Sequence, residues 1–180
     1  MTGWMSAAAL LAGLCTGAGR TVAQEIPTQI RPGAYVSAGA SIAQYQMDYG
    51  QHVLGGAAVY VDVNLSAHYG IESEARWLLI NQAANVHAST QLAGLRISLM
   101  YVHGFTPYVK LLGGAARFTF PYKYATGTYF VLSPGAGVDL NLRHRLTLRL
   151  LDVEYQSWPQ FTYGTLHPYG ASIGMSYRIF

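Results

Sequence analysis

The chain has 180 residues, of which 11% are charged and 13% are aromatic, and its formal net charge is +3. This length suits a single domain with a sizeable core or a closed barrel. The basic residues are scattered singly rather than gathered into a stripe, so we expect no nucleic-acid partner.

The first 23 residues have the features of a secretory signal peptide. An apolar stretch at 7–14 is followed by Thr21-Val22-Ala23, small residues that suit a cleavage site. A buried or disordered N-terminal arm is the alternative interpretation. The one cysteine, Cys15, lies in this segment, so the mature chain would form no disulfide. Residues 24–32 predict a short extended arm that precedes the strand-rich region at 33–180.

Eight strand-like runs follow, each of about 9–13 residues, close to what a tilted strand needs to cross a bilayer. They cover residues 33–44, 54–65, 69–80, 91–102, 107–118, 128–140, 145–156 and 168–180. The predicted connections alternate between long ones at 44–53, 81–90, 119–127 and 157–167 and short ones at 66–68, 103–106 and 141–144. This pattern is typical of an all-β, eight-stranded antiparallel up-and-down barrel with its tight turns and both termini at one rim.

Period-two alternation is clearest in the predicted hairpin at 60–78. Val61 and Val63 share one face of its first strand, and Asp62 lies on the other. In its second strand Glu72 and Glu74 share a face, with apolar or small residues opposite. Because alternate residues of a strand point to opposite sides, each strand has one apolar side and one charged side.

Three places are expected to disturb the alternation. The Leu-Leu pair at 150–151 breaks step and predicts a β-bulge. Pro134 cannot donate a hydrogen bond to a neighbouring strand and predicts a second bulge. The Gly-Gly pair at 113–114 predicts a register shift, which leaves open the face on which Arg117 lies.

The alternation fits either a soluble lipocalin-like barrel, which buries its apolar side, or a membrane barrel, which buries its polar side. The charges on the polar sides nearly balance, as a closed interior requires, because an unpaired buried charge is costly. Aromatic residues near the ends of the runs indicate the two girdles of a membrane barrel. We therefore predict a transmembrane barrel with a charge network in its lumen. The predicted network comprises Asp62, Glu72, Glu74, Arg76, Arg96, Lys110, Asp139, Arg149, Asp152, Glu154 and Arg178. The predicted girdles comprise Tyr45, Tyr49, Trp77, Tyr101, Phe105, Phe118, Phe120, Tyr122, Tyr129, Tyr155, Trp158, Tyr169 and Tyr177.

The signal peptide, the eight amphipathic strands and four sequence runs together resemble the small OmpA-like outer-membrane β-barrel proteins of Gram-negative bacteria. The runs are GIESEARWL (70–78), SPGAGVDLNL (133–142), RLTLRLLDVEYQSW (145–158) and SIGMSYRIF (172–180). The resemblance implies export through the periplasm, a periplasmic arm at 24–32, periplasmic termini and four extracellular loops in the outer membrane. It also implies the barrel domain alone, without the peptidoglycan-binding domain of full-length relatives. Tyr177 and Phe180 resemble the assembly signal of the family, although Arg178 stands where an aromatic residue is usual.

The predicted role is structural or one of surface interaction, with the lumen plugged by salt bridges. We expect outer-membrane lipids and the outer-membrane assembly machinery as partners, together with an extracellular ligand bound by the long loops. We expect no cofactor. The six histidines lie in predicted loops or turns without the spacing of a metal motif, so we expect no metal site.

Two other functions remain open at this point. A narrow ion-conducting pore would need a continuous water path through the lumen. A lipid-modifying enzyme is the less favoured alternative, because His87-Ala88-Ser89 resembles part of the His–Ser pair of outer-membrane lipid A deacylases. Catalysis would require a carboxylate within reach of His87, and Asp48, in another predicted loop, is the only acidic residue among the polar residues of the long loops. We expect no catalytic residues and no enzymatic activity.

Overall fold

The computed structural model describes residues 34–47, 53–80, 87–119, 126–143, 145–159 and 165–179. The predicted signal peptide and arm, and Phe180 of the predicted assembly signal, lie outside these ranges. Among the described residues, no helix is long and apolar enough to cross a membrane.

Eight antiparallel strands form a closed barrel. They are β1 Tyr35–Gln46, β2 Val53–Asn64, β3 Tyr69–Ile80, β4 His87–Ser98, β5 Phe105–Thr119, β6 Thr126–Arg143, β7 Leu146–Tyr155 and β8 Tyr169–Arg178. Each strand pairs with the next in the chain, and β8 pairs with β1 over ten residues from Ser37–Arg178 to Gln46–Tyr169. The predicted up-and-down barrel is therefore confirmed.

The connections differ from those predicted. At one end of the barrel, here the loop rim, three connections have only six residues each (47–52, 81–86 and 120–125), and the fourth spans 156–168. At the opposite end, the turn rim, the connections are 65–68, 99–104 and 144–145. The connections at the two rims therefore differ less in length than the sequence predicted. The main cause is β4, which begins four residues earlier than predicted and ends at Ser98, where the chain enters a turn.

The β4–β5 turn explains where β4 ends. Val102 and Phe105 pair through two backbone hydrogen bonds of 2.9 and 2.8 Å around His103 and Gly104. Both intervening residues have positive φ, 48° and 90°. Two such residues make the tight turn whose twist suits a β-hairpin, and glycine takes this conformation without steric cost.

One of the predicted register disturbances is present and two are not. A register shift between Arg149 and Asp152 confirms the bulge at 150–151, and both leucines face outward. The β5–β6 ladder runs through Pro134 and the Gly-Gly pair at 113–114 without a shift, so both of those predictions were wrong. Pro134 has no N–H to donate toward β7. On that side, the paired residues of β6 and β7 are interrupted between Gly135 and the isolated bridge at Leu132. Arg117 accordingly lies exposed on the outer side of β5.

Apolar side chains cover the outside of the barrel, and charged side chains fill part of the inside. Val61 is 41% exposed, whereas its neighbour Asp62 is 4% exposed. A soluble barrel would have the opposite arrangement, so this distribution is that of a transmembrane barrel, in which lipid replaces water outside.

The predicted aromatic girdle is correct for six residues and wrong for four. Exposed positions are occupied by Trp77, Tyr101, Phe105, Tyr155, Tyr169 and Tyr177. Tyr101 belongs to the connection at 99–104 and also borders a cavity at the turn rim. The interior contains Tyr45, Phe118, Tyr129 and Trp158, all at most 8% exposed. Their inward direction follows from the strand register, which closeness to a strand end does not reveal. The structure does not describe Tyr49, Phe120 or Tyr122.

Candidate functional site: the barrel lumen

Ten of the eleven residues predicted for the charge network lie on the inner face of the barrel and are at most 8% exposed. The exception is Arg178, which lies half-buried at the turn rim. Its guanidinium stacks 3.9 Å from the ring centre of Tyr35 and forms no ion pair with the described residues.

Arg76 and Glu154 form the part of the charge network that lies nearest the loop rim. The Arg76 Nη1 and Nη2 atoms donate to Glu154 Oε2 and Oε1, each at 3.0 Å, in a bidentate pair from β3 to β7. The Tyr45 hydroxyl donates to the same carboxylate at 2.8 Å. Arg76 Nη2 also contacts a Glu74 oxygen. Bidentate pairing fixes the geometry as well as the charge, so these contacts tie opposite walls of the barrel together.

Lys110 lies at the middle of the network. Its Nζ atom is 2.6 Å from Asp152 Oδ2, 2.6 Å from Glu154 Oε1 and 2.9 Å from Glu72 Oε1. Oxygen atoms of Glu72, Glu74 and Asp152 lie within 4.8 Å of one another, a spacing that could hold a metal ion. The ammonium of Lys110 lies against these carboxylates and supplies the positive charge that a metal would bring.

Arg149 and Arg96 complete the network toward the turn rim. The Nη2 atom of Arg149 is 3.0 Å from Glu72 Oε2, and its Nη1 atom is 3.2 Å from Asp152 Oδ2. The bulge at 150–151 makes this second contact possible, because it turns both Arg149 and Asp152 inward. Arg96 bridges Asp62 at 3.1 Å and Asp139 at 2.5 Å.

Two tyrosine rings support these guanidinium groups. Arg149 lies 3.7 Å from the ring centre of Tyr60, and Arg96 lies 3.7 Å from that of Tyr108. A cation over an aromatic face gains electrostatic attraction while the ring excludes water. The rings and charges therefore leave little free space at this level of the lumen.

The buried network carries more acids than bases. Six carboxylates, from Asp62, Glu72, Glu74, Asp139, Asp152 and Glu154, face four bases, Arg76, Arg96, Lys110 and Arg149. With every group ionised, the buried network has a net charge of −2. Arg178 is not counted, because it lies apart at the turn rim.

An apolar layer lies inside the barrel toward the loop rim, and the sequence analysis missed it. Leu54, Leu112 and Val131 are fully buried there, together with Phe118. Trp158 covers the layer: it stacks on Tyr129 and meets Phe118 edge-on, each at 6.2 Å between ring centres. The buried cluster comprises Ala43, Tyr45, Met47, Leu54, Leu78, Ala88, Leu92, Leu112, Ala116, Phe118, Tyr129, Val131, Trp158 and Leu166.

At the opposite end of the lumen, the described residues leave an open vestibule. It has a volume of about 1140 Å³ at the turn rim and is lined by residues that include Tyr35, His68, Tyr101, Asn141 and Arg178. The lumen therefore has three successive levels: an open vestibule, the charge network and the apolar layer.

The residues considered for catalysis are not assembled by the described part of the structure. Ser89 lies in β4, paired with Trp77 and Arg117, rather than in the predicted loop. All six acidic residues of the described ranges are buried in the lumen, whereas Ser89 lies on the outer side of the wall. Asp48 and the side chain of His87 lie outside the described residues.

No protein-family model matches the chain, and no curated protein sequence matches it. Solved structures do match. Neisserial surface protein A is 14% identical, covers 81% of this chain and 96% of its own, and gives a TM-score of 0.61. The outer membrane protein OprG from Pseudomonas aeruginosa is 12% identical over 82% of this chain and 96% of its own, with a TM-score of 0.56. Ail, the attachment invasion locus protein of Yersinia pestis, solved with the heparin analogue sucrose octasulfate, is 13% identical over 82% of this chain and 99% of its own, with a TM-score of 0.54. Identities this low establish the fold alone, and this chain has the small eight-stranded barrel fold that these bacterial proteins share.

Proposed function

We propose that the chain is an integral protein of the bacterial outer membrane, with a structural or surface-interaction role and a lumen that does not conduct ions. The apolar outer surface and the fold shared with a protein described as an outer membrane protein support this location. The turn rim and both termini would then face the periplasm, and the loop rim would face the exterior. Export by the signal peptide at 1–23 and insertion through Tyr177 and Phe180 belong to the same proposal.

Two layers of buried side chains, together called the double seal, support the proposal of a closed lumen. Ions entering from the turn rim would first meet four basic side chains and six carboxylates that are paired across the barrel. They then meet the apolar layer, where Leu54, Leu112, Val131 and Phe118 are each 0% exposed. Hydrophobic constrictions exclude water, and an ion crossing one would lose its hydration shell without compensation. A lumen of eight strands is in any case just wide enough for its own side chains.

A surface-interaction role rests on the loop rim. Ail, which shares the fold, was solved with a heparin analogue, and we propose that the loop rim of this chain also takes an extracellular ligand. Three of its four connections have six residues each, and the fourth spans 156–168. A catalytic role has less support, because Ser89 lies in the outer wall while the described carboxylates are inside. The other proposed partners are outer-membrane lipids, which would contact the apolar outer wall, and the outer-membrane assembly machinery.

Planar-bilayer recording tests the closed lumen directly. We expect the purified, refolded protein to insert without producing discrete current steps. Steps whose size increases with salt concentration would show a continuous water path and would favour the pore.

Thiol labelling gives a second test with a matched pair of serines. The only native cysteine, Cys15, lies in the predicted signal peptide, so removing it gives a clean background. We expect Ser98→Cys, in the vestibule, to react rapidly with a water-soluble thiol reagent. Ser133→Cys, at a position that is 0% exposed between the network and the apolar layer, should be protected. Equal rates at both positions would contradict the double seal.

A further inference from the structure

We propose that the outer wall beside the loop rim binds the headgroup of an anionic phospholipid, through the guanidinium of Arg117 and the polar side chains around it. This inference rests on the proposed membrane location and adds a defined lipid site to it. Three features of the described residues lead to it: an outward-facing cation without a partner, uncharged hydrogen-bonding side chains on both neighbouring strands, and an apolar strip that continues toward the middle of the wall.

Arg117 is the only charged side chain on the outer face of the strands, among the side chains that the structure describes. It is exposed and forms no ion pair with a described residue, because the described carboxylates all lie inside the barrel. A lipid-facing cation is costly at the bilayer midplane and is tolerated near the interface. Arg117 lies two residues before the end of β5 at the loop rim, which puts it near the headgroups. An anionic headgroup at that level would supply the counter-charge that the described wall lacks.

Uncharged polar side chains surround Arg117 on the outer face. Ser89 of β4 and Thr128 of β6 are its direct cross-strand partners, and Gln91 and Thr126 are its diagonal neighbours. Side chains directly opposite each other have Cβ atoms about 4.5–5.5 Å apart, so both hydroxyl groups lie close enough to contact an anion bound by the guanidinium. The planar fork of arginine matches the oxygens of a phosphate group, and hydroxyl and amide groups can donate to the remaining oxygens.

An apolar strip continues from this polar group toward the middle of the wall. Ala115 of β5 pairs with Phe130 of β6, and Gly113 pairs with Leu132 in the same way. Ala115 and Gly113 have little or no side chain, whereas Phe130 and Leu132 project outward and are 52% and 42% exposed. The wall is therefore lower along β5 than along β6, and an acyl chain can lie beside the two larger side chains. A phosphate that carries acyl chains would use both parts of the site, whereas a soluble phosphate would use only the polar part.

Trp77 provides a fluorescent reporter close to the site. It is 43% exposed on the outer wall and pairs with Ser89, which pairs with Arg117, so Trp77 lies two strands, about 10 Å, from Arg117. Trp158 is 1% exposed inside the barrel, where lipid does not reach it. Trp4→Phe is included in every variant, so that no tryptophan remains in the predicted signal peptide. Bromine atoms on acyl chains quench tryptophan fluorescence on contact, and the quenching therefore reports which lipid lies beside Trp77.

The full-length protein is refolded into phosphatidylcholine vesicles in which a minor fraction of the lipid is brominated phosphatidylglycerol or, for comparison, brominated phosphatidylcholine. We expect phosphatidylglycerol to be preferred beside Trp77 by about fivefold, the gain expected for one basic side chain next to anionic lipid. Arg117→Met should abolish this preference. Arg145→Met is the matched control, because it also removes one exposed cation but lies at the turn rim, and it should leave the preference unchanged.

Thr128→Val tests the contribution of the hydroxyl groups, because it removes one oxygen without altering the charge. It should lower the preference by about twofold or more, and an unchanged preference would count against the site, since a single unspecific charge would then explain the binding. Equal quenching by the two lipids in the wild type, an unchanged preference in Arg117→Met, or an equal loss in Arg117→Met and Arg145→Met would overturn the site. Absence of quenching by either lipid would instead refute the membrane location, and the site with it.

Discussion

Replacing Arg76 with methionine should destabilise the barrel mainly through the carboxylates it leaves behind. Arg76 is 1% exposed, forms a bidentate pair with Glu154 and contacts Glu74. Removing one partner of a buried ion pair typically costs about 3–5 kcal/mol. Lys110 remains 2.6 Å from Glu154, so part of the compensation survives and we expect the lower end, about 3 kcal/mol.

The double variant separates the orphaned charge from the lost packing. In the double variant Arg76→Met with Glu154→Gln, the carboxylate that loses its bidentate partner is also neutralised. We therefore expect the double variant to lose about 1–3 kcal/mol less stability than the sum of the losses in the two single variants. Arg117→Met is the matched control, because Arg117 is exposed on the outer wall; it should change the stability by less than about 0.5 kcal/mol.

Urea unfolding in lipid vesicles, followed by tryptophan fluorescence, gives the free energy of unfolding for all four variants. If Arg76→Met costs less than about 1 kcal/mol, the value for a surface ion pair, the network does not hold the barrel walls together. Strict additivity in the double variant would equally refute the coupling between Arg76 and Glu154.

Three further changes can be measured in the same unfolding assay. Val61→Arg places a charge on the lipid side of β2 and should cost about 2–4 kcal/mol near the bilayer midplane; no cost would reverse the assignment of the faces. Gly114→Ala should cost about 1–3 kcal/mol, because its added Cβ would lie 2.1 Å from a backbone oxygen, whereas Gly113→Ala, with 3.9 Å of clearance, should cost less than about 0.5 kcal/mol. Trp158→Ala should cost about 3–5 kcal/mol by opening a cavity in the apolar layer, and clearly more than Trp77→Ala on the outer wall; equal losses would argue against that layer as a packed seal.

Much of the fold could be predicted because strand alternation is a local property. The pleat of a strand places Val61 and Asp62 on opposite sides whatever the rest of the chain does. The number of strands, the closed antiparallel order, the membrane-facing side and the bulge at 150–151 follow from that rule and from the poor fit of the charged faces to a soluble exterior. The inner-face position of ten charged residues follows from it as well.

The sequence was less informative where alternation fades. Near the loop rim both faces are apolar, so Leu112 and Val131 on the inside resemble their lipid-facing neighbours. The inward direction of Phe118 and Trp158 was missed for the same reason, and with it the apolar layer. The ends of β4 were misplaced because its first residues, from His87 to Thr90, are mostly small or polar and carry no clear periodic signal.

The sequence by itself determined which side of each strand is charged and that those charges must find partners inside a closed barrel. Only the tertiary structure decided which partners they find: Arg76 with Glu154 across the lumen, Lys110 among three carboxylates, and Arg96 between Asp62 and Asp139. The physical reason is that contacts across a barrel depend on strand stagger and closure, which are properties of the whole sheet. Alternation along one strand contains no information about the height at which opposite walls meet.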